Sequence, residues 1–252
     1  MKYFDYTFSS PAENLACEEA LLDWAESGKG HETLRFWESP EPFVVVGYAN
    51  KVATEVNVAA CEARKIPILR RCSGGGTVVQ GPGCLNYSLV LPITKDGPLH
   101  GIAVANQFIM RRNRAAIESA VRSPQSAAPI SIHGHTDLAL VTRHASRVTL
   151  KKFSGNSQRR RQHFLLFHGT FLLNFDLALV GELLRMPSKQ PDYRESRNHA
   201  DFLTNIKITA EEIKTALRKA WGTGLQLANP PLVAIKTLAR EKYSVHGWNF
   251  KF

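Results

Sequence analysis

Arg70-Arg71-Cys72-Ser73-Gly74-Gly75-Gly76-Thr77-Val78-Val79 sets two guanidinium groups, a hydroxyl and three consecutive glycines between two short apolar runs. Residues without Cβ take backbone conformations closed to others and let a ligand approach main-chain N–H groups closely. The arginines add charge-assisted forks suited to a carboxylate or a phosphate. The chemistry that suits this loop is the holding of an anion, or of an oxygen on which charge develops. It is not a P-loop, since no Gly-Lys-Ser/Thr follows. Nor is it a dinucleotide fingerprint, because Val79 stands where the third glycine is needed. Taken alone, the run fits a tight hairpin with glycines at a bulge equally well.

Two more stretches follow in order: Lys151-Lys152-Phe153-Ser154-Gly155-Asn156-Ser157-Gln158-Arg159-Arg160, then Leu165-Leu166-Phe167-His168-Gly169-Thr170-Phe171-Leu172-Leu173. Together the three resemble the lipoate–protein ligase A family, in the superfamily shared with biotin–protein ligases and octanoyltransferases. There Arg-Arg-x-Ser-Gly-Gly-Gly precedes Lys-x-Ser-Gly-x-Ala/Ser-x-Arg and a His-Gly-Thr/Ser stretch. The resemblance also takes in Asn14-Leu15-Ala16, Asp137-Leu138-Ala139 and Tyr243 through Trp248-Asn249, so it spans nearly the whole chain. It implies an α+β fold, a biotin/lipoate-ligase-like catalytic domain with mixed β-sheets flanked by helices over residues 1–205. A short helical C-terminal extension over 206–252 would stand in place of the family's large accessory domain.

The resemblance further implies an ATP-dependent lipoate–protein ligase. Lipoate or octanoate would be activated with ATP and Mg2+ to an acyl-adenylate, and the acyl group then passed to a carrier lysine. Arg71, Ser73, Gly74, Gly75, Gly76 and Thr77 would line the adenylate and the carboxyl end of the acid. Lys152 would sit beside the mixed anhydride as the catalytic residue, and Ser154, Gly155 and Arg159 would complete that wall. Asp137 would lie near the nucleotide and magnesium. Each has a plainer reading: Lys152 as a surface strand lysine, Arg159 as one of a basic run, His168 as a satisfied structural histidine. His133 and His135, at i and i+2 without a third ligand nearby, make a poor zinc pattern. Three departures stand out: Gln80 in place of a histidine, Thr136 in place of an asparagine, and the extra polar residues Thr142-Arg143-His144-Ala145-Ser146-Arg147.

An octanoyltransferase drawing on acyl carrier protein is the nearest alternative, with cysteine as the natural nucleophile for thioester exchange. In ligase-like transferases that cysteine lies before the Asp-Leu stretch, but Ile130-Ser131-Ile132-His133-Gly134-His135-Thr136 contains none. A biotin–protein ligase is disfavoured by Ser-Gly-Gly-Gly where Gly-Arg-Gly-Arg is usual. A basic nucleic-acid-binding protein is suggested by charge alone, with no recognised motif.

The elements that must position these residues are legible as short runs. Ser10-Pro11-Ala12-Glu13 opens a helix as a capping box. Strands are predicted at 33–37, 43–46, 68–71, 77–79, 86–91, 137–141, 149–153, 164–167 and 170–174. A helix is predicted from Ile102 to about Val121, burying Val104, Phe108, Ile109, Ala116, Ile117 and Ala120, and a Ser/Pro/Ala loop over 123–129. Thr209-Ala210-Glu211-Glu212 starts another helix, and Pro231 to about Tyr243 a last one. Apolar content of 44% with 21% charged residues is ordinary for a soluble globular enzyme. No run reaches the ~18 apolar residues of a membrane span, and residues 1–5 lack a signal-peptide core, so a cytoplasmic protein is expected. The four cysteines, Cys17, Cys61, Cys72 and Cys84, form no CxxC pair. The net charge of +10 suits an acidic partner. With the resemblance, that means lipoyl-carrier proteins such as 2-oxoacid dehydrogenase acyltransferase subunits or the glycine-cleavage H protein, with a separate accessory polypeptide as a further partner. No nucleic acid or membrane partner is expected.

Overall fold

The computed structural model describes residues 1–121, 128–144 and 147–252. Most of the expected Ser/Pro/Ala loop, and Ala145 and Ser146 of the polar insertion, lie outside the described residues.

In chain order the elements begin with β1 (Lys2–Asp5), α1 (Pro11–Glu26), β2 (Thr33–Trp37) and β3 (Phe43–Val46). Short helices α2 (Val52–Glu55) and α3 (Val58–Ala63) lead to β4 (Ile68–Arg70), β5 (Val78–Gln80) and β6 (Cys84–Pro92). Helix α4 (Ile102–Ala120) precedes a meander of β7 (Ile130–His133), β8 (Asp137–His144), β9 (Arg147–Arg160) and β10 (Phe164–Leu172). Then come α5 (Ala178–Leu183), a 3₁₀ turn (Asp192–Arg194), α6 (His199–Phe202), α7 (Ala210–Ala220), β11 (Leu225–Gln226), α8 (Leu232–Leu238), a π-helical turn (Ala239–Tyr243) and α9 (His246–Asn249). The main sheet has eight strands in the order β11-β1-β2-β6-β10-β9-β8-β7, and a second has three, β4-β3-β5. This is a mixed-sheet α+β architecture, as expected.

Strand alternation gives the main sheet one apolar and one functional face. Leu85, Tyr87, Leu89 and Leu91 of β6, with Leu165, Phe167 and Phe171 of β10, join Ile109, Met110 and Ile117 of α4 and Ile213 and Leu217 of α7 in one core. The intervening residues Asn86, Ser88, His168 and Thr170 face the other way. On that side Val90 and Leu166 pack with α1, α8 and the π-helical turn. A third core, with Val44, Val46, Val79, Phe175 and Leu183, underlies the small sheet.

Two expectations need correcting. The two strands expected around His168-Gly169 are one, β10, with Gly169 paired to both Tyr87 and Asn156. A Cβ on Gly169 would lie 1.7 Å from Asn156 Oδ1, so the glycine serves side-chain packing and not a turn. On α4, Val104 is exposed, and the buried stripe runs instead through Ala105, Ile109, Asn113, Ala116 and Ile117. The polar Asn113 hides that stripe from a purely apolar pattern. Its Nδ2 donates to Tyr87 Oη at 2.8 Å, and its Oδ1 accepts from Trp221 Nε1 at 2.8 Å.

Asn113 therefore joins the sheet, α4 and the end of α7. Asn113→Ala leaves Trp221 Nε1 without its acceptor, takes a donor from Tyr87 Oη (which still donates to Asn156 Oδ1 at 2.6 Å) and opens a void, and is expected to cost about 2–4 kcal/mol in urea denaturation. A loss under 0.5 kcal/mol would show that water replaces the amide.

Candidate active site

The glycine loop links β4 to β5 and is shaped by two buried arginines. Arg70 sends Nη1 to the carbonyls of Gly47, Tyr48 and Asn50 at 2.9, 3.0 and 2.8 Å, and Nη2 to the carbonyl of Asn249 at 3.0 Å. Arg71 turns back into its own loop. Its Nη2 donates to the carbonyls of Gly74 and Gly76 at 2.5 and 2.7 Å, and its Nε to Ser73 Oγ at 3.0 Å. Burial pushes the Arg71 guanidinium down to about 10, so it stays charged at neutral pH. Asn50 Nδ2 takes the carbonyl of Gly75 at 3.1 Å. With the loop carbonyls so engaged, the N–H groups of Gly74, Gly75, Gly76 and Thr77 have no acceptor among the described residues. The loop thus presents amide donors, as its sequence suggests.

Ser73 anchors the loop to the sheet. Its Oγ lies 2.5 Å from His168 Nε2, and His168 Nδ1 lies 2.5 Å from Glu18 Oε2 on α1. Trp37 Nε1 donates to the other Glu18 oxygen at 3.0 Å. Burial alone would raise the Glu18 carboxyl, yet the charge and hydrogen bond of His168 hold it below the ordinary range. A hydroxyl, an imidazole and a carboxylate in series suggest a nucleophile relay. Ser73, however, is 0% exposed, so in this conformation the chain of bonds holds the loop and offers no nucleophile.

Across the cavity, Lys152 Nζ pairs with Asp137 Oδ1 at 2.8 Å. Tyr193 Oη donates to Asp137 Oδ2 at 2.7 Å. A Cβ on Gly155 would meet Lys152 Nζ at 2.7 Å, so the glycine makes room for the ammonium. Each oxygen of Asp137 thus has a partner, and no group of three or more His, Cys, Asp and Glu side chains forms a metal site among the described residues.

The cavity between these walls measures about 890 Å³, and it brings together Arg71, Gly75, Gly76, Thr77, Asp137, Lys152, Ser154 and Gly155. Ser73 is buried behind the wall, Gly74 is exposed outside the cavity lining, and Arg159 sits apart over the Tyr48 ring at 5.7 Å. Sequence reasoning missed Glu18, Asn86, Thr170 and Tyr193, all of which line the cavity. Tyr193 comes from an irregular segment with no local signal. Glu18 was hidden inside an ordinary-looking helix. None of the four cysteines lines the cavity, and all are buried. Burial pushes the Cys17 thiol up to about 11 and Cys72 up to about 12, and raises Cys61 and Cys84 as well.

The glycine loop of the small sheet thus faces a lysine–carboxylate pair of the main sheet across one cavity. Residues 10–221 match the lipoyl protein ligase A/B catalytic domain, and the chain belongs to that family. Among curated relatives it is 27% identical over 281 residues to octanoyltransferase LipM of Geobacillus kaustophilus, covering 99% of this chain and 98% of that one. It is 26% identical over 281 residues to octanoyltransferase LipM of Bacillus subtilis, with the same coverage. The fold is that of a bi-partite lipoate protein ligase from Thermoplasma acidophilum, at TM-score 0.75 and 20% identity over 99% of this chain and 95% of that chain. It is also that of a lipoate-protein ligase A bound with ATP, at TM-score 0.72 and 21% identity over 99% and 98%. These relatives correct the expected activity. The curated relatives similar in sequence over 98% of their length are octanoyltransferases, which overturns the reading as an ATP-dependent, acyl-adenylate-forming ligase.

Two outcomes follow from this geometry. Gly75 has φ +85°, and a Cβ there would lie 3.0 Å from Arg71 Nη2. Gly75→Val is therefore expected to displace the loop and weaken binding of a free carboxylic acid in the cavity at least ~10-fold by calorimetry, because a β-branched residue resists that backbone. Unchanged affinity would make the loop only a turn. For Glu18, the lowered folded value means that its stabilisation is present above the unfolded carboxylate value of about 4.3. It is lost as pH falls through the lower folded value. Glu18→Gln should flatten the loss of urea stability below about pH 4, while an unchanged slope would place the acid-sensitive group elsewhere.

Proposed function

We propose that this protein is an acyltransferase of lipoyl assembly, which moves an octanoyl group from a thioester donor to a lysine of a lipoyl-carrier domain. The observation that carries the reading is the full-length similarity to octanoyltransferases. It is supported by a cavity with a cation and amide donors where an acyl oxygen would gain charge.

No cysteine lies in the 130–136 loop or in the cavity wall, so the transfer runs directly between donor and acceptor. The neutral acceptor amine attacks the thioester carbonyl carbon, and the carbonyl electron pair moves to oxygen. Lys152, held by Asp137, and the loop amides stabilise that oxyanion. Collapse breaks the C–S bond, and the departing thiolate takes up the proton released by the new amide nitrogen. Arg71 acts at one remove, by turning the loop carbonyls inward. Acidic carriers such as 2-oxoacid dehydrogenase acyltransferase subunits or the glycine-cleavage H protein suit the net charge of +10, which would speed their encounter at low salt.

The test is incubation with octanoyl-acyl carrier protein and a carrier domain, without ATP, read by intact mass. The expected result is one octanoyl added to the carrier. Lys152→Ala should slow this ~100-fold or more while leaving the fold intact. Replacing Cys17, Cys61, Cys72 and Cys84 together by Ser or Ala should leave transfer in place, and no hydroxylamine-sensitive adduct should form on the enzyme. Absence of transfer by wild type would refute the reading, and an acyl-cysteine adduct would refute the direct route.

A further inference from the structure

One series of hydrogen bonds runs from the core to the cavity, and its first member settles the direction of the rest. An indole N–H only donates, so Trp221 Nε1 gives its proton to Asn113 Oδ1, and Asn113 Nδ2 faces Tyr87 Oη at 2.8 Å. Burial raises the Tyr87 phenol well above its ordinary range, so it keeps its proton and donates it to Asn156 Oδ1 at 2.6 Å. Asn156 Nδ2 is left to donate to the main-chain carbonyl of Thr136, also at 2.6 Å. Thr136 Oγ1 returns a bond to the Asn156 carbonyl at 2.6 Å. The series thus passes from the end of α7 through α4, β6 and β9 to the residue directly before β8.

Asn156 reaches Tyr87 by crossing β10. Gly169 is paired with Tyr87 on one side and Asn156 on the other, and a Cβ on it would collide with Asn156 Oδ1. The glycine of the His-Gly-Thr stretch is the gap through which amide and phenol meet. At the other end, the reciprocal bonds between Asn156 and Thr136 close the turn that leads into Asp137. Thr136 departs from the family's asparagine, and Asn156 supplies an amide there from the neighbouring strand. Just beyond, a register shift between Leu138 and Ala139 sets Lys152 opposite Ala139. Asp137 is therefore held between a clamp and a bulge, and from there its Oδ1 meets Lys152 Nζ at 2.8 Å.

We propose that Asn156 is a positioning residue for the acyl transfer: through the Thr136 carbonyl it fixes the backbone that carries Asp137, and so holds Lys152 where the acyl oxygen gains charge. A preorganised cation that drifts from the developing oxyanion costs rate more than it costs substrate binding. The inference rests on the acyl-transfer reading for the role of Lys152.

Asn156→Asp tests it, because it keeps an acceptor for Tyr87 but turns an oxygen to the Thr136 carbonyl in place of a donor. In octanoyl transfer this variant should lower kcat at least ~10-fold and change KM for octanoyl-acyl carrier protein less than ~3-fold. Asn113→Ala, two bonds back along the series, loosens the core but leaves the clamp on Thr136, and should keep kcat within ~3-fold of wild type. Equal losses of kcat in the two variants overturn the proposal, as does a loss carried by KM or a folded Asn156→Asp protein with wild-type kcat. A second measurement needs no transfer. Labelling with acetic anhydride, read by peptide mass, compares Lys152 with the exposed Lys95 in the same sample. Asn156→Asp should raise the ratio of Lys152 to Lys95 labelling at least ~3-fold, because an amine released from its carboxylate partner reacts more readily. An unchanged ratio overturns the positioning. If Asn156→Asp does not fold, Asn156→Ser is read by the same two measurements. If wild type transfers no octanoyl while the labelling ratio rises, the proposed reaction fails and the positioning of Lys152 stands.

Discussion

The structure depends on the burial of two adjacent arginines. A guanidinium withdrawn from water must find acceptors for its N–H groups, and around Arg70 and Arg71 these are nearly all main-chain carbonyls. Arg70 thereby ties the segment 47–50 to the C-terminal residues Trp248 and Asn249. Arg71 draws in the carbonyls of the glycine loop. Because a peptide group that turns its oxygen inward turns its N–H outward, the two charges convert a flexible glycine run into a set of directed donors. The carboxylate–imidazole–hydroxyl series from Glu18 to Ser73 then pins that loop to the main sheet.

The second organising constraint is the pleat of the main sheet. One face of β6 and β10 is closed by α4 and α7, and the other carries Asn86, His168 and Thr170 towards the cavity. A substrate channel is thus lined by alternate residues of the same strands that build the core. Few positions on those strands can change without disturbing packing or site.

The step from ligase to transferase turns on a shared physical demand. Acyl-adenylate formation and thioester aminolysis both build negative charge on an acyl oxygen, and both are served by a cation and aimed amides. The Arg-Arg-x-Ser-Gly-Gly-Gly and Lys-x-Ser-Gly motifs speak to that oxyanion and not to the leaving group. Motifs alone therefore leave adenylate and thioester chemistry level. Full-length sequence similarity to octanoyltransferases tips that balance.

By itself the sequence determined the family, the mixed α+β class and most regular elements, because strand alternation, capping boxes and a glycine loop are local signals. It also marked Lys152, Gly155 and the loop, whose chemistry depends on residue type and near spacing. Tertiary structure decided what those residues meet. It put Tyr193 on Asp137 across 56 positions, set Glu18 behind His168 across 150, and hid every cysteine from the cavity. It joined two expected strands into β10 and turned Asn113 inward on α4. Such pairings depend on which faces of distant elements are pressed together, and no local run of residues carries that information.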